Sequence, residues 1–150
     1  MRKCTLKTAT LLLLLIFVYG TVSFADSNGI IKYRQNVMKS VSGHMGAISD
    51  ILKNGLSLKD HIVDHARSMQ QISRMTLSMF PEGSGKGRTK SKQVIWEQWS
   101  EFESAASDFE RESIKLVEVA QSGDMEALSK QVRATGKTCS GCHRNFRKRN

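Results

Sequence analysis

Proline is nearly missing from this chain: of 150 residues only Pro81 is one, and it lies in the stretch "FPEGSGKGRTKSK" beside Gly83, Gly85 and Gly87. The strict polar and apolar alternation of β-strands appears nowhere, which argues against a sheet. The longest apolar run, "LLLLLIFV" at 11–18, is too short for a spanning helix, which needs about 20 apolar residues. Cysteine is scarce as well, with Cys4, Cys139 and Cys142 alone. A zinc centre would want a second C-x-x-C, which is lacking. A thiol oxidoreductase would want its cysteine pair at a helix start after a strand, and no strand precedes this one.

What is present begins with the apolar run. It follows Arg2, Lys3 and Lys7, and "SFA" after it ends in small residues at Ser23 and Ala25. This layout is that of a secretory signal peptide, so residues 1–25 are expected to be cleaved and 26–150 exported as one domain, without membrane insertion. Cys4 leaves with the discarded segment. The whole chain carries +9; without Arg2, Lys3 and Lys7, 20 basic residues stand against 14 acidic ones, a net charge of +6. Export argues against nucleic acid as the partner. Arg144, Arg147, Lys148 and Arg149 crowd the C-terminus, whereas the acids gather between Glu97 and Glu118.

Four segments place apolar residues at alternating steps of three and four, which keeps them on one face of a helix. The first seam runs through Ile31, Met38, Val41, Met45, Ile48 and Leu52, with Ser27 or Asn28 able to start it and Gly55 to end it. Arg34 falls on the same seam. The second takes Leu58, Ile62, His65, Met69, Ile72 and Met79, and the Pro81 loop breaks it. The third spans about Gln93 to Gln121, with Ile95, Trp99, Phe102, Ala106, Phe109 and Leu116 inward. Asp124 caps the fourth, where Leu128, Val132, Thr135, Cys139, Cys142 and Phe146 share a stripe. The expectation is an all-α fold, an antiparallel up-and-down four-helix bundle, whose core is where such folds build cofactor sites.

The last stripe carries Cys139-Ser-Gly-Cys142-His143, which matches C-x-x-C-H, the attachment signature of a c-type haem. Residues three apart on a helix lie side by side, so two thiols reach the vinyl groups along one porphyrin edge, and the next residue supplies an axial nitrogen to iron. A disulfide between the two cysteines would cross-link a turn already ordered by its helix and would leave His143 without a task. The fold is thus expected to enclose one covalently attached haem c.

With "IKYRQNVM", "MFPEGS", "IWEQWSEFESAASDF" and "ATGKTCSGCHRNFRKR" in place, the mature chain resembles the class II cytochromes c, the cytochrome c′ family. It looks closest to their low-spin, methionine-ligated branch. The resemblance implies an exported bacterial bundle, resident in the periplasm, with His143 as one axial ligand of iron. It implies Met38 as the leading candidate opposite, at the family's distal position on the first helix. It also places Arg34 and Gln35 beside the haem propionates and Arg147 over the proximal side. Methionine opposite histidine raises the reduction potential and suits an electron carrier rather than an enzyme. The alternative is an open five-coordinate site, as in cytochromes c′ whose methionine does not bond the iron, that takes nitric oxide or carbon monoxide. Met45 is the first substitute for Met38, Met69, Met75 and Met79 are read as core, His65 points inward without a ligand role, and His44 and His61 are read as surface residues. The basic tail, with Lys137 and Arg144, is expected to steer redox partner proteins that are acidic at the docking face. A homodimer paired through the first two helices is left open.

Overall fold

A computed structural model describes residues 24–149, so the expected signal segment lies outside the described residues but for its last two positions, and Cys4 lies outside them. The elements are α1 (Phe24–Asn54), α2 (Lys59–Ser73), a 3-10 turn (Leu77–Met79), a short α3 (Val94–Glu97), α4 (Trp99–Ser122) and α5 (Met125–Phe146). The described residues hold no strand, only an isolated antiparallel bridge between Ser91 and Arg147. The four long helices form the expected antiparallel bundle. Its tight connections end where the sequence supplies residues for them: Gly55 and Gly123 take φ of +61° and +73°, a conformation that glycine reaches without the steric penalty of a Cβ. The Asp124 carboxylate accepts from the backbone N–H groups of Glu126 and Ala127, which closes the exposed start of α5.

The bundle has two apolar clusters. One holds Ile48, Ile62, Ala66, Met69, Leu116 and Leu128, and joins α1, α2, α4 and α5. Ser113 donates to Ser73, so α2 and α4 also share a buried hydrogen bond of 3.1 Å. The other is aromatic and consists of Met79, Phe80, Ile95, Phe102 and Phe146. Phe102 is its hub, edge-on to Phe80 at 4.7 Å and to Phe146 at 5.3 Å between ring centres, an arrangement that sets a positive ring edge against a negative face. α5 packs chiefly on α4, α4 on α2 and α2 on α1, whereas α1 and α5 meet only lightly.

Several expectations shift. The second helix ends at Ser73 rather than running on to Met79, and Met75 turns outward at 38% exposure. The third is broken at Gln98, whose φ of −124° and ψ of 58° leave helical geometry. The break accompanies Trp96, whose indole N–H donates to the carbonyls of Phe80 and Pro81. Trp99, just after it, is partly exposed and only flanks Phe102. Leu58 precedes α2 at the surface instead of joining its seam.

Candidate haem site

On α5 the cysteines lie one turn apart, both half-buried and not joined by a disulfide. The Cys139 thiol lies 3.5 Å from the Thr135 carbonyl. Burial pushes the thiol of Cys139 up, and burial followed by the proximity of Cys139 pushes that of Cys142 up to about 11. Each thiolate would be a charge in an apolar setting beside another, so both groups stay protonated at neutral pH. His143 follows at the surface, its pKa lowered first by burial of its inner side and then by the charge of Arg147. A neutral imidazole is the form that can donate an electron pair to a metal.

The wall behind these residues is apolar. Cys142 packs against the Phe102 and Phe146 cluster, and so does Met38 from α1. Two half-buried sulfur side chains from opposite helices therefore share one aromatic surface, on the pair of helices that meet only lightly. A haem c needs two thiols one turn apart, an imidazole at the next position and an apolar face; these residues fit that demand.

Arg34 is buried at 3% exposure. Its Nη1 donates to the Met79 carbonyl and to Ser84 Oγ, and its Nη2 to the Ser84 carbonyl and Thr89 Oγ1, all within 3.0 Å. The guanidinium gathers the glycine-rich loop around itself, and neither Nη is left over for a carboxylate. Gln35 is exposed and donates to the Arg88 carbonyl at 2.8 Å. Sequence reasoning placed Arg34 on the seam but missed Ser84 and Thr89. The signal was there: a buried cation needs acceptors, and the Pro81 loop is a long irregular stretch rich in carbonyls and hydroxyls.

The loop is also tied to the tail beyond the haem motif. Lys92 N–H donates to the Phe146 carbonyl, Lys148 N–H to that of Lys90, and the Lys92 ammonium to that of Arg144. These bonds set Lys90 and Lys92 alongside Arg144, Arg147 and Lys148. On the second helix His65 meets His44, at 3.0 Å between their Nδ1 atoms, so His44 is half-buried rather than a free surface residue. Met45 is half-buried in the other cluster, and Met69 and Met79 are core.

The sequence model of the family described as cytochrome c′ matches residues 29–147. Cytochrome c′ of Rhodospirillum rubrum is 32% identical over 124 residues, covering 82% of this chain and 84% of the relative. The solved cytochrome c′ of Shewanella frigidimarina superposes with a TM-score of 0.78 at 26% identity, over 85% of this chain and all of that one. A variant of Alcaligenes xylosoxidans cytochrome c′, solved as its nitric oxide complex, superposes at 0.77 and 23% identity, over 85% of this chain and all of that one. Matched in sequence and architecture along nearly all of its described length, this chain belongs to the cytochrome c′ family and carries that family's single, covalently attached haem c.

Proposed function

We propose that residues 26–150 form a periplasmic haem c protein that takes a diatomic gas, nitric oxide or carbon monoxide, on the side of the haem opposite His143. The bound haem supplies an iron that accepts such a ligand when one axial position is free. Cys139 and Cys142 hold it through thioether bonds, and His143 occupies the proximal position as a neutral imidazole. Arg147, whose charge already acts on His143, guards that side. Met38 lines the opposite face. The observation that carries this reading is the match to the cytochrome c′ family over residues 29–147, and Met38 can line the distal face as a flexible space-filling thioether. The nitric oxide complex of the Alcaligenes relative supports the same assignment. Titration of the ferrous haem-loaded protein with carbon monoxide tests it, with saturation at one gas per haem expected and a spectrum indifferent to the gas contradicting it.

The second reading is an electron carrier with the Met38 sulfur on the iron. It is favoured by Met38 sharing its apolar surface with Cys142. Under either reading electrons arrive by docking, and the paired basic loop and tail suit a partner with an acidic face. Gln35, the exposed member of the Arg34 and Gln35 pair, can exchange its bond to the Arg88 carbonyl for one to a propionate, while Arg34 acts through the loop it holds.

A further inference from the structure

The histidine pair between α1 and α2 has no part in the haem site. His44 follows Val41 and precedes Ile48 on α1; His65 sits between Ile62 and Ala66 on α2; all four apolar neighbours are core. The two ring carriers are thus held by buried packing on both helices. Their Nδ1 atoms are 3.0 Å apart, with the rings tilted by 50° and their centres 5.2 Å apart. As two neutral rings they share a single proton between the nitrogens, one donating and one accepting.

A metal ion asks for a similar spacing. With metal to imidazole bonds of about 2.0–2.1 Å, two nitrogens at a right angle lie about 2.9 Å apart, and at a tetrahedral angle about 3.4 Å. The observed separation falls at the right-angled end, the cis edge of a tetragonal copper site. Imidazole is a favoured donor for copper, and Cu²⁺ heads the affinity order of the divalent first-row ions. Burial, and then His65, lower the pKa of His44, which favours its neutral, ligating form.

We infer that His44 and His65 bind a divalent copper ion through their Nδ1 atoms, as a clip across α1 and α2. Copper replaces the shared proton, which passes to the Nε2 of the ring that had donated, so two neutral rings bind without net proton release. Small ring rotations turn both lone pairs toward one point. Among the described residues no group of three histidine, cysteine or carboxylate side chains is placed to hold a metal ion, so water completes the coordination. His61, one turn before His65 on α2, is exposed and serves as the control.

The test titrates Cu²⁺ into the haem-loaded protein by calorimetry, with the copper electron paramagnetic resonance signal recorded at saturation. One copper per chain and coupling to two nitrogens are expected. His44→Gln and His65→Gln should each weaken binding by more than the roughly tenfold lost with even an outer-shell partner, while His61→Gln stays within about twofold of wild type. An unchanged haem spectrum shows that each variant is folded. As a second reading, saturating Cu²⁺ should raise the unfolding midpoint of the wild type and leave that of His44→Gln where it was. Copper binding that survives His44→Gln, or that is lost with His61→Gln instead, overturns the inference, as does a titration without stoichiometric uptake.

Discussion

The guanidinium carbon of Arg34 lies 4.4 Å from the centre of the Phe80 ring, so a buried cation on α1 rests on the aromatic cluster that backs the haem motif. The same guanidinium holds Met79, Ser84 and Thr89 through four hydrogen bonds. One side chain thereby couples the glycine-rich loop to the site. Arg34→Ala removes the ring contact and leaves buried acceptors unmet; a loss of about 3 kcal/mol is expected in denaturant unfolding of the haem-loaded protein. Arg34→Lys should restore only part of it, because an ammonium lacks the planar fork that serves four acceptors at once.

Phe102 touches Phe80, Trp99 and Phe146 and is 1% exposed. Phe102→Ala opens a cavity at the hub of the cluster, and a loss of about 3–5 kcal/mol is expected. Trp99→Ala, at the rim, should cost clearly less. Equal losses at both positions would show that the cluster does not centre on Phe102.

The two thiols make haem attachment directly checkable. Haem should stay with the polypeptide through denaturation and acidic organic extraction, and Cys139→Ser or Cys142→Ser should leave a single thioether and a lowered yield of mature protein. Replacing Cys4 should change neither, since it precedes the expected cleavage site.

The pH dependence follows from His44, whose pKa lies below the ordinary 6.5 because of burial first and His65 second. A pKa lower in the folded than in the unfolded chain means that the unfolded chain binds more protons on acidification. The stability this group contributes is therefore present above about pH 6.5 and is lost as the pH falls through its folded value. Unfolding measured between pH 7.5 and pH 5 should show a shallower decline in His44→Gln than in the wild type, both free of copper. Parallel curves would mean that His44 does not titrate in this range.

How much was legible in advance depended on the range of the interaction. The Asp124 cap, the stops at Gly55 and Gly123, the seams of α1 and α5 and the C-x-x-C-H turn are local, and local spacing places them. The break at Gln98 was not legible, because it accompanies an indole bonded to carbonyls some fifteen residues earlier. The same holds for the loop strapped to the tail through Lys90, Lys92 and Phe146. The outward turn of Met75 and Trp99 was missed for a related reason: periodicity continued across a helix end that only tertiary contacts reveal.

That strap sets Lys90 and Lys92 beside Arg144, Arg147 and Lys148, next to the haem motif. Electron exchange with an acidic protein partner should slow as ionic strength rises toward about 0.1 M, where the Debye length is about 10 Å. Paired charge reversals, Lys90→Glu with Lys148→Glu, should weaken the salt dependence. A rate indifferent to salt would show that the cluster is merely solvated.

The most direct test of the central claim is the spin state of the ferric and ferrous wild-type protein, because it reports whether the Met38 sulfur is on the iron. The gas-binding account predicts a high-spin, five-coordinate iron in both states, without the weak far-red sulfur-to-iron band, and Met38→Ala that stays high-spin while taking carbon monoxide faster. A wild type that is low-spin in both states, shows that band, resists carbon monoxide and turns high-spin only in Met38→Ala would contradict it and make the protein a methionine-ligated electron carrier.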